Sequence, residues 1–125
     1  MKTSVAKQKG RRLQQQLRDV LRYIFRGTLE DGDIESRGMG SNGSDLIFSP
    51  ASKKLIPFEW ECKNQESLNI WKSIEQAESN SNGRIPAVVF SKNRAKTYIC
   101  LELDEFLKIQ YPNYNPNEYK IFSKS

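Results

Sequence analysis

Apolar positions recur at helical spacing early in the chain and at strand spacing in its middle. Leu13, Leu17, Val20, Leu21 and Ile24 lie at offsets 0, 4, 7, 8 and 11, one stripe of an amphipathic helix over residues 5–26. Gln14, Gln15, Gln16 and the arginines cover its other side. Thr3 or Ser4 would cap its start, Gly10 weakens its first turns and Gly27 stops it. A short strand is expected around Asp33–Arg37, then a loop with three glycines between Arg37 and Ser44. Leu46–Ser49 reads as a strand, Pro50–Lys54 as a turn, and Leu55–Lys63 as the second strand of the same hairpin. In that second strand Ile56, Phe58, Trp60 and Cys62 alternate with Glu59, Glu61 and Lys63, so one face is apolar and the other charged.

Helical spacing returns over residues 67–79, where Ile70, Trp71, Ile74 and Ala77 share a side and Ser67 is the expected cap. Trp60 and Trp71 are both expected in the core, since each stands on an apolar face. Asn80–Gly83 breaks the helix. Ile85–Phe90 is a nearly unbroken apolar run, the pattern of a strand covered on both faces. Thr97–Leu103 alternates as another strand, and Asp104 would cap a short helix to about Gln110. The pattern predicts an α/β fold: a mixed β-sheet flanked by helices, in one domain over residues 1–125, with its core over about 7–110 and a surface tail over 111–125.

Charge narrows the partners and the chemistry. Lys and Arg number 20 against 15 Asp and Glu, a net charge of +5. Lys2, Lys7, Lys9, Arg11, Arg12, Arg18, Arg22 and Arg26 crowd the first 26 residues, and Arg84, Lys92, Arg94 and Lys96 form a second basic group. Such clustering suits a polyanion. The chain has no histidine, which excludes histidine-based nucleases and triads and most zinc sites. Cys62 and Cys100 fall within strand-like runs and read as buried, reduced and inert. The start is basic and polar with no apolar segment behind it, and no run is long enough to span a bilayer. A soluble, intracellular protein is expected.

With histidine absent, hydrolytic chemistry falls to carboxylates, lysine and a hard metal ion. Asp45 opens one strand, and Glu61 and Lys63 share a face of the other. Asp45 and Glu61 supply the one or two carboxylates that Mg2+ takes from a protein, and the Cys62 carbonyl is a further oxygen. Lys63 is placed to stabilise a phosphorane or orient the attacking water. Glu59 lies on the same face and is read as structural.

Asp45, 15 intervening residues, then Glu61-Cys62-Lys63 resembles the PD-(D/E)XK nuclease motif. The αβββαβ order is similar to that superfamily's restriction-endonuclease-like core. Within it the chain resembles the small Holliday-junction resolvases of archaea and their viruses over roughly residues 7–103. The shared features are Lys9-Gly10 at the head of the first helix, the Gly/Ser-rich loop before the aspartate, and Gln76 on the helix after the E-x-K strand. Two positions depart from the pattern. Ser44 stands where the motif has proline, and Gln14 stands nearest to a helix glutamate that completes the metal site in those enzymes. Gln14 is a site candidate through its carbonyl oxygen, with Glu35 as a possible compensating acid. The resemblance implies a homodimer that makes paired nicks in four-way DNA junctions with Mg2+, Mn2+ substituting. It implies DNA contacts from Lys9, Arg11, Arg12, Arg37 and Gln76, with Ser41 near the scissile phosphate, inside a prokaryotic or virus-infected cell. The rival readings are a flap, nicking or restriction-like nuclease, and a DNA-binding module of this fold without catalysis.

Overall fold

The computed structural model describes residues 2–38, 40–118 and 122, with the side chains of Lys2, Thr3 and Ser4 outside that description, so the capping role of Thr3 or Ser4 lies outside it too. Helix α1 spans Lys2–Ile24 and runs unbroken through Gly10. Leu13 and Leu21 are buried and Leu17 packs against them, whereas Val20 and Ile24 are exposed. The buried stripe is therefore narrower than the apolar pattern.

A single 3-10 turn at Asp31–Asp33 leads into β1 (Ile34–Ser36), which pairs antiparallel with β2 (Leu46–Phe48). The expected turn after β2 is instead a six-residue helix, α2 (Pro50–Leu55). Ser49 caps it by accepting the Ser52 N–H at 3.2 Å, and Pro50 takes the first turn, where its missing N–H costs nothing. The sequence Ser-Pro followed by helix formers is a helix start as well as a turn. That helix carries the chain away from the β2 ladder, so the expected hairpin does not form.

Strand β3 (Phe58–Asn64) pairs in parallel with β4 (Ile85–Ser91), joined by the crossover helix α3 (Ile70–Ser79). Strand β5 (Tyr98–Cys100) adds antiparallel to β4, and α4 (Leu103–Gln110) follows. The sheets are β1-β2 and β3-β4-β5, and the Asp45 N–H, donated to the Trp60 carbonyl at 2.8 Å, links them. This is a mixed α/β, restriction-endonuclease-like arrangement. Its core gathers Leu13 and Leu21 of α1, Ile34, Leu46, Phe48, Ile56, Trp60, Cys62, Ala87 and Val89.

Three placements differ from the apolar pattern. Trp71 is 75% exposed. The inward stripe of α3 is Ile70, Ser73, Ile74 and Ala77, and Trp71 lies about 100° round from Ile70. Asn69, not Ser67, caps α3, accepting the Lys72 N–H at 3.1 Å. Cys100 is only half-buried, because β5 is a sheet edge, while Cys62 is buried as expected.

Helix α4 begins at Leu103, so Asp104 lies inside it, where it is buried and accepts the Tyr114 hydroxyl. Arg84 also turns inward, away from the basic surface. Its Nε donates to Glu59 Oε2 at 2.6 Å and its guanidinium reaches the carbonyls of Lys53 and Ile56. Glu59 accepts the Ser44 hydroxyl at 2.5 Å as well, which makes it a buried structural acid.

Candidate active site

Strand β3 has no solvated face. Trp60 and Cys62 face the core under α1, and Glu61 on the opposite face is only 3% exposed. Asp45, one residue before β2, reaches across the gap between the sheets. Its Oδ2 accepts the Cys62 N–H at 2.6 Å. The N–H and C=O of a strand residue point to the same edge, so the Cys62 carbonyl also faces the Asp45 side. Gly10 lies above that carbonyl: a Cβ there would stand 3.5 Å from the Cys62 oxygen. A glycine in α1 thus leaves open a main-chain oxygen on the Asp45 side of the E-x-K strand.

The acids are held under electrostatic tension. Burial and the neighbouring Asp45 push the Glu61 carboxyl up to about 7, against the opposing pull of Lys63 and the nearby Asn80 amide. Asp45 is also raised by burial, although the Cys62 N–H, Lys63 and Arg37 hold it down. Among the described residues Glu61 Oε1 is buried with no hydrogen-bond partner, and Oε2 stands 3.9 Å from Lys63 Nζ. A buried carboxylate oxygen without a donor is costly unless something else satisfies it.

A hard divalent cation fits that requirement. Asp45, Glu61 and the Cys62 carbonyl would hold it. Among the described residues there is no group of three or more His, Cys, Asp or Glu able to hold a metal. Two carboxylates and a carbonyl suit an ion that keeps most of its waters. Bound there, such an ion would polarise a phosphoryl oxygen and lower the pKa of its water. Lys63 Nζ, 3.9 Å from Glu61 Oε2, would then offset charge on a phosphate bound there.

Gln14 is brought to the site, but as a donor. Its Nε2 lies 2.7 Å from Ser36 Oγ, 2.8 Å from the Arg37 carbonyl and 2.7 Å from the Asp45 carbonyl. Carbonyls accept only, so the orientation of the amide is fixed. Gln14 braces the end of the β1-β2 ladder, where the Arg37 N–H also donates to the Asp45 carbonyl at 2.8 Å. Glu35 pairs with Arg22 at 2.6 Å, which engages it away from Asp45 and Glu61.

The expected DNA contacts are spread around this centre. Arg11 and Arg12 are exposed on α1. Lys9 donates to Asn93 Oδ1 at 2.7 Å, tying α1 to the β4-β5 loop. Arg37 folds back over the glycine loop, with Nε donating to the Ser44 carbonyl at 2.6 Å. Gly43 is required there: its φ is +119°, and a Cβ would sit 2.8 Å from the guanidinium carbon. Ser41 is exposed in the same loop, and its N–H donates to the Gly38 carbonyl at 3.3 Å. Gln76 is exposed on α3, and it is Asn80, the C-cap just beyond that helix, whose side chain bears on Glu61. Nothing in the sequence separates Asn80 from an ordinary helix stop.

An aspartate at a strand junction ahead of an E-x-K strand in a mixed α/β sheet is the arrangement of the PD-(D/E)XK class of nuclease. The chain belongs to the phage putative PDDEXK endonuclease family, which it matches over residues 6–123. That match takes in most of the tail, beyond the roughly 7–103 that the resemblance to resolvases covers. No curated protein and no solved structure matches the chain. No helix among the described residues is long and apolar enough to cross a membrane.

Proposed function

We propose that this nuclease is a Mg2+-dependent, structure-selective DNA endonuclease that introduces paired nicks into four-way junctions. The observation that carries the metal dependence is the buried, unpartnered Oε1 of Glu61 beside Asp45 and the Cys62 carbonyl edge. Its DNA contacts come from Lys9, Arg11 and Arg12 on α1 and from Arg37 and Ser41 in the glycine loop. These are contacts to phosphate, blind to sequence, as an enzyme reading DNA shape requires. Mn2+ substitutes for Mg2+ in this reading, because both accept oxygen ligands.

A homodimer belongs to the same reading. Cutting two strands of a two-fold substrate calls for two sites related by a two-fold axis. The exposed Ile99, Leu103, Phe106 and Ile109 on β5 and α4 supply apolar surface for it.

The second reading is a DNA-binding module without catalysis, favoured by Gln14 acting as a brace where the resolvases have an acid. Synthetic four-way junction, flap and linear duplex, each incubated with and without Mg2+, separate the readings. Symmetric nicks on the junction alone support the resolvase. Flap or duplex cutting moves the assignment to another nuclease activity, and tight binding with no cleavage with or without Mg2+ supports the module.

A further inference from the structure

The β4-β5 connection is the part of the basic surface that the metal site does not use. Strand pairing sets Lys63, Phe90 and Tyr98 opposite one another across β3, β4 and β5. Directly paired residues share a face, so the three side chains form one row on the face that carries Glu61. Two strand spacings put Tyr98 roughly 10 Å from Lys63 along that row. The Phe90 and Tyr98 rings are stacked, with centroids 6.1 Å apart and planes 30° from parallel. Tyr98 is 56% exposed, so one ring is braced from below while the outer one stays open.

The turn above this stack is basic and held in shape. Lys92, Arg94 and Lys96 are exposed, and the segment Lys92–Tyr98 contains no acid. The Ala95 N–H donates to the Lys92 carbonyl at 3.1 Å, closing the turn. The Asn93 N–H donates to Glu66 at 2.6 Å, and Lys9 donates to the Asn93 side chain, so the turn is tied both to the loop after β3 and to α1. Arg94 has a φ of +64°, a left-handed conformation that glycine would adopt with less strain. An arginine held there keeps a cation at the tip of the turn.

We propose that Tyr98, stacked on Phe90, is a platform for a DNA base unstacked from its duplex, and that Lys92, Arg94 and Lys96 hold the phosphates beside it. A positive strip next to an exposed aromatic is the pairing of features that binds single-stranded nucleotides without reading sequence. The platform selects DNA with an open base, as at a branch point or flap, over continuous duplex. The proposal rests on the nuclease reading for the place of the scissile phosphate beside Lys63.

The test measures binding in EDTA, so that it does not depend on cleavage. The probe is a flap oligonucleotide with 2-aminopurine at the first unpaired position, set against a continuous duplex of the same length. The wild-type protein quenches the 2-aminopurine and binds the flap more tightly than the duplex. Tyr98→Ala loses the quench and weakens flap binding by about 5- to 150-fold, the usual range for one stacked base, while duplex binding holds. Tyr98→Phe retains both, which separates stacking from a loss of fold. Replacing Lys92, Arg94 and Lys96 with Gln lowers the slope of log affinity against log salt by about 2 to 3. An unchanged quench in Tyr98→Ala, or an unchanged salt slope in the triple variant, overturns the platform even if the wild-type protein cleaves DNA. If the wild-type protein binds no DNA at all, the platform and the nuclease reading fall together. A Tyr98-dependent quench in a protein that never cleaves leaves the platform standing and removes only the nuclease reading.

Discussion

Asp45 accepts the Cys62 N–H at 2.6 Å, which ties the acid of one strand junction to the peptide between Glu61 and Lys63. The bond holds the Asp45 carboxyl against the E-x-K strand whether or not a cation is present. It also sets the first prediction. In Asp45→Asn the side-chain oxygen still accepts from Cys62, so the fold and DNA binding hold, while the ligand charge is lost. Cleavage should fall by more than the roughly 10- to 100-fold that follows loss of a group merely supporting a metal ligand. Single-turnover cleavage beside a gel-shift titration checks this, and wild-type cleavage rates in the variant would remove Asp45 from the site.

The Glu61 carboxyl makes metal-free stability depend on pH. Its folded pKa of about 7 lies above an ordinary value near 4.5, so the folded state binds the extra proton. The contribution is fully present below about pH 4.5 and is lost as pH rises through about 7. A shift of that size corresponds to about 3 kcal/mol. Asp45 is raised too, and acts in the same direction. Urea unfolding in EDTA should therefore give falling stability from pH 5 to pH 8. Mg2+ should restore the loss, and Glu61→Gln should flatten the profile. A wild-type profile that rises over this range would contradict the burial of the Glu61 carboxyl beside Asp45.

Arg84 and Glu59 show where the sequence misleads. Arg84 reads as surface charge among Lys92, Arg94 and Lys96, yet it is paired with the buried Glu59 at 2.6 Å. Removing one partner of a buried pair leaves the other charge without compensation, at about 3–5 kcal/mol. Arg84→Met should lower thermal stability by that order, whereas Lys92→Met, on the exposed turn, should leave it within about 0.5 kcal/mol. A thermal-melt comparison distinguishes them, and equal small effects would count against the buried pair.

That contrast marks what was legible in the sequence. The E-x-K strand, the aspartate before it, the long first helix and the crossover helix all follow from periodicities that local sequence sets. The partner of β3 does not. Ser49-Pro50 starts a helix as readily as a turn, and only packing decides that β3 lies parallel to β4. The charged alternation of Glu59, Glu61 and Lys63 locates the strand correctly but misses the burial of its polar face, because that depends on α3 and on Arg84 arriving from elsewhere. Trp71 is exposed for a related reason: a ten-residue helix packs a stripe only about two residues wide, and Ile70, Ser73, Ile74 and Ala77 fill it.

Gln14 tests whether the missing helix acid is an omission or a design of this chain. Its amide donates toward Ser36, Arg37 and Asp45, all of them acceptors as the amide meets them. Gln14→Glu would set a carboxylate against two carbonyls; the Asp45 carbonyl keeps the Arg37 N–H, but the Arg37 carbonyl loses its donor, at about 1–3 kcal/mol for a buried group left unsatisfied. The variant should melt lower than wild type at neutral pH and should bind Mg2+ no more tightly in calorimetric titration. Tighter binding at undiminished stability would mean that the position is a ligand site waiting for its acid.

Gly10 separates stability from activity. A methyl group there would meet the Cys62 carbonyl at 3.5 Å, an ordinary contact, so Gly10→Ala fits without rearrangement. Replacing glycine in the middle of a continuous helix should then stabilise the protein by about 0.5–1 kcal/mol. The same methyl group covers the oxygen that lies beside Asp45 and Glu61. Metal-dependent cleavage should fall, and the Mg2+ concentration needed for half-maximal activity should rise. Gly10→Val adds bulk over the carbonyl and should deepen both effects on activity while giving back the helix gain. A Gly10→Ala protein that is both more stable and fully active at low Mg2+ would show that the Cys62 carbonyl takes no part in holding the ion.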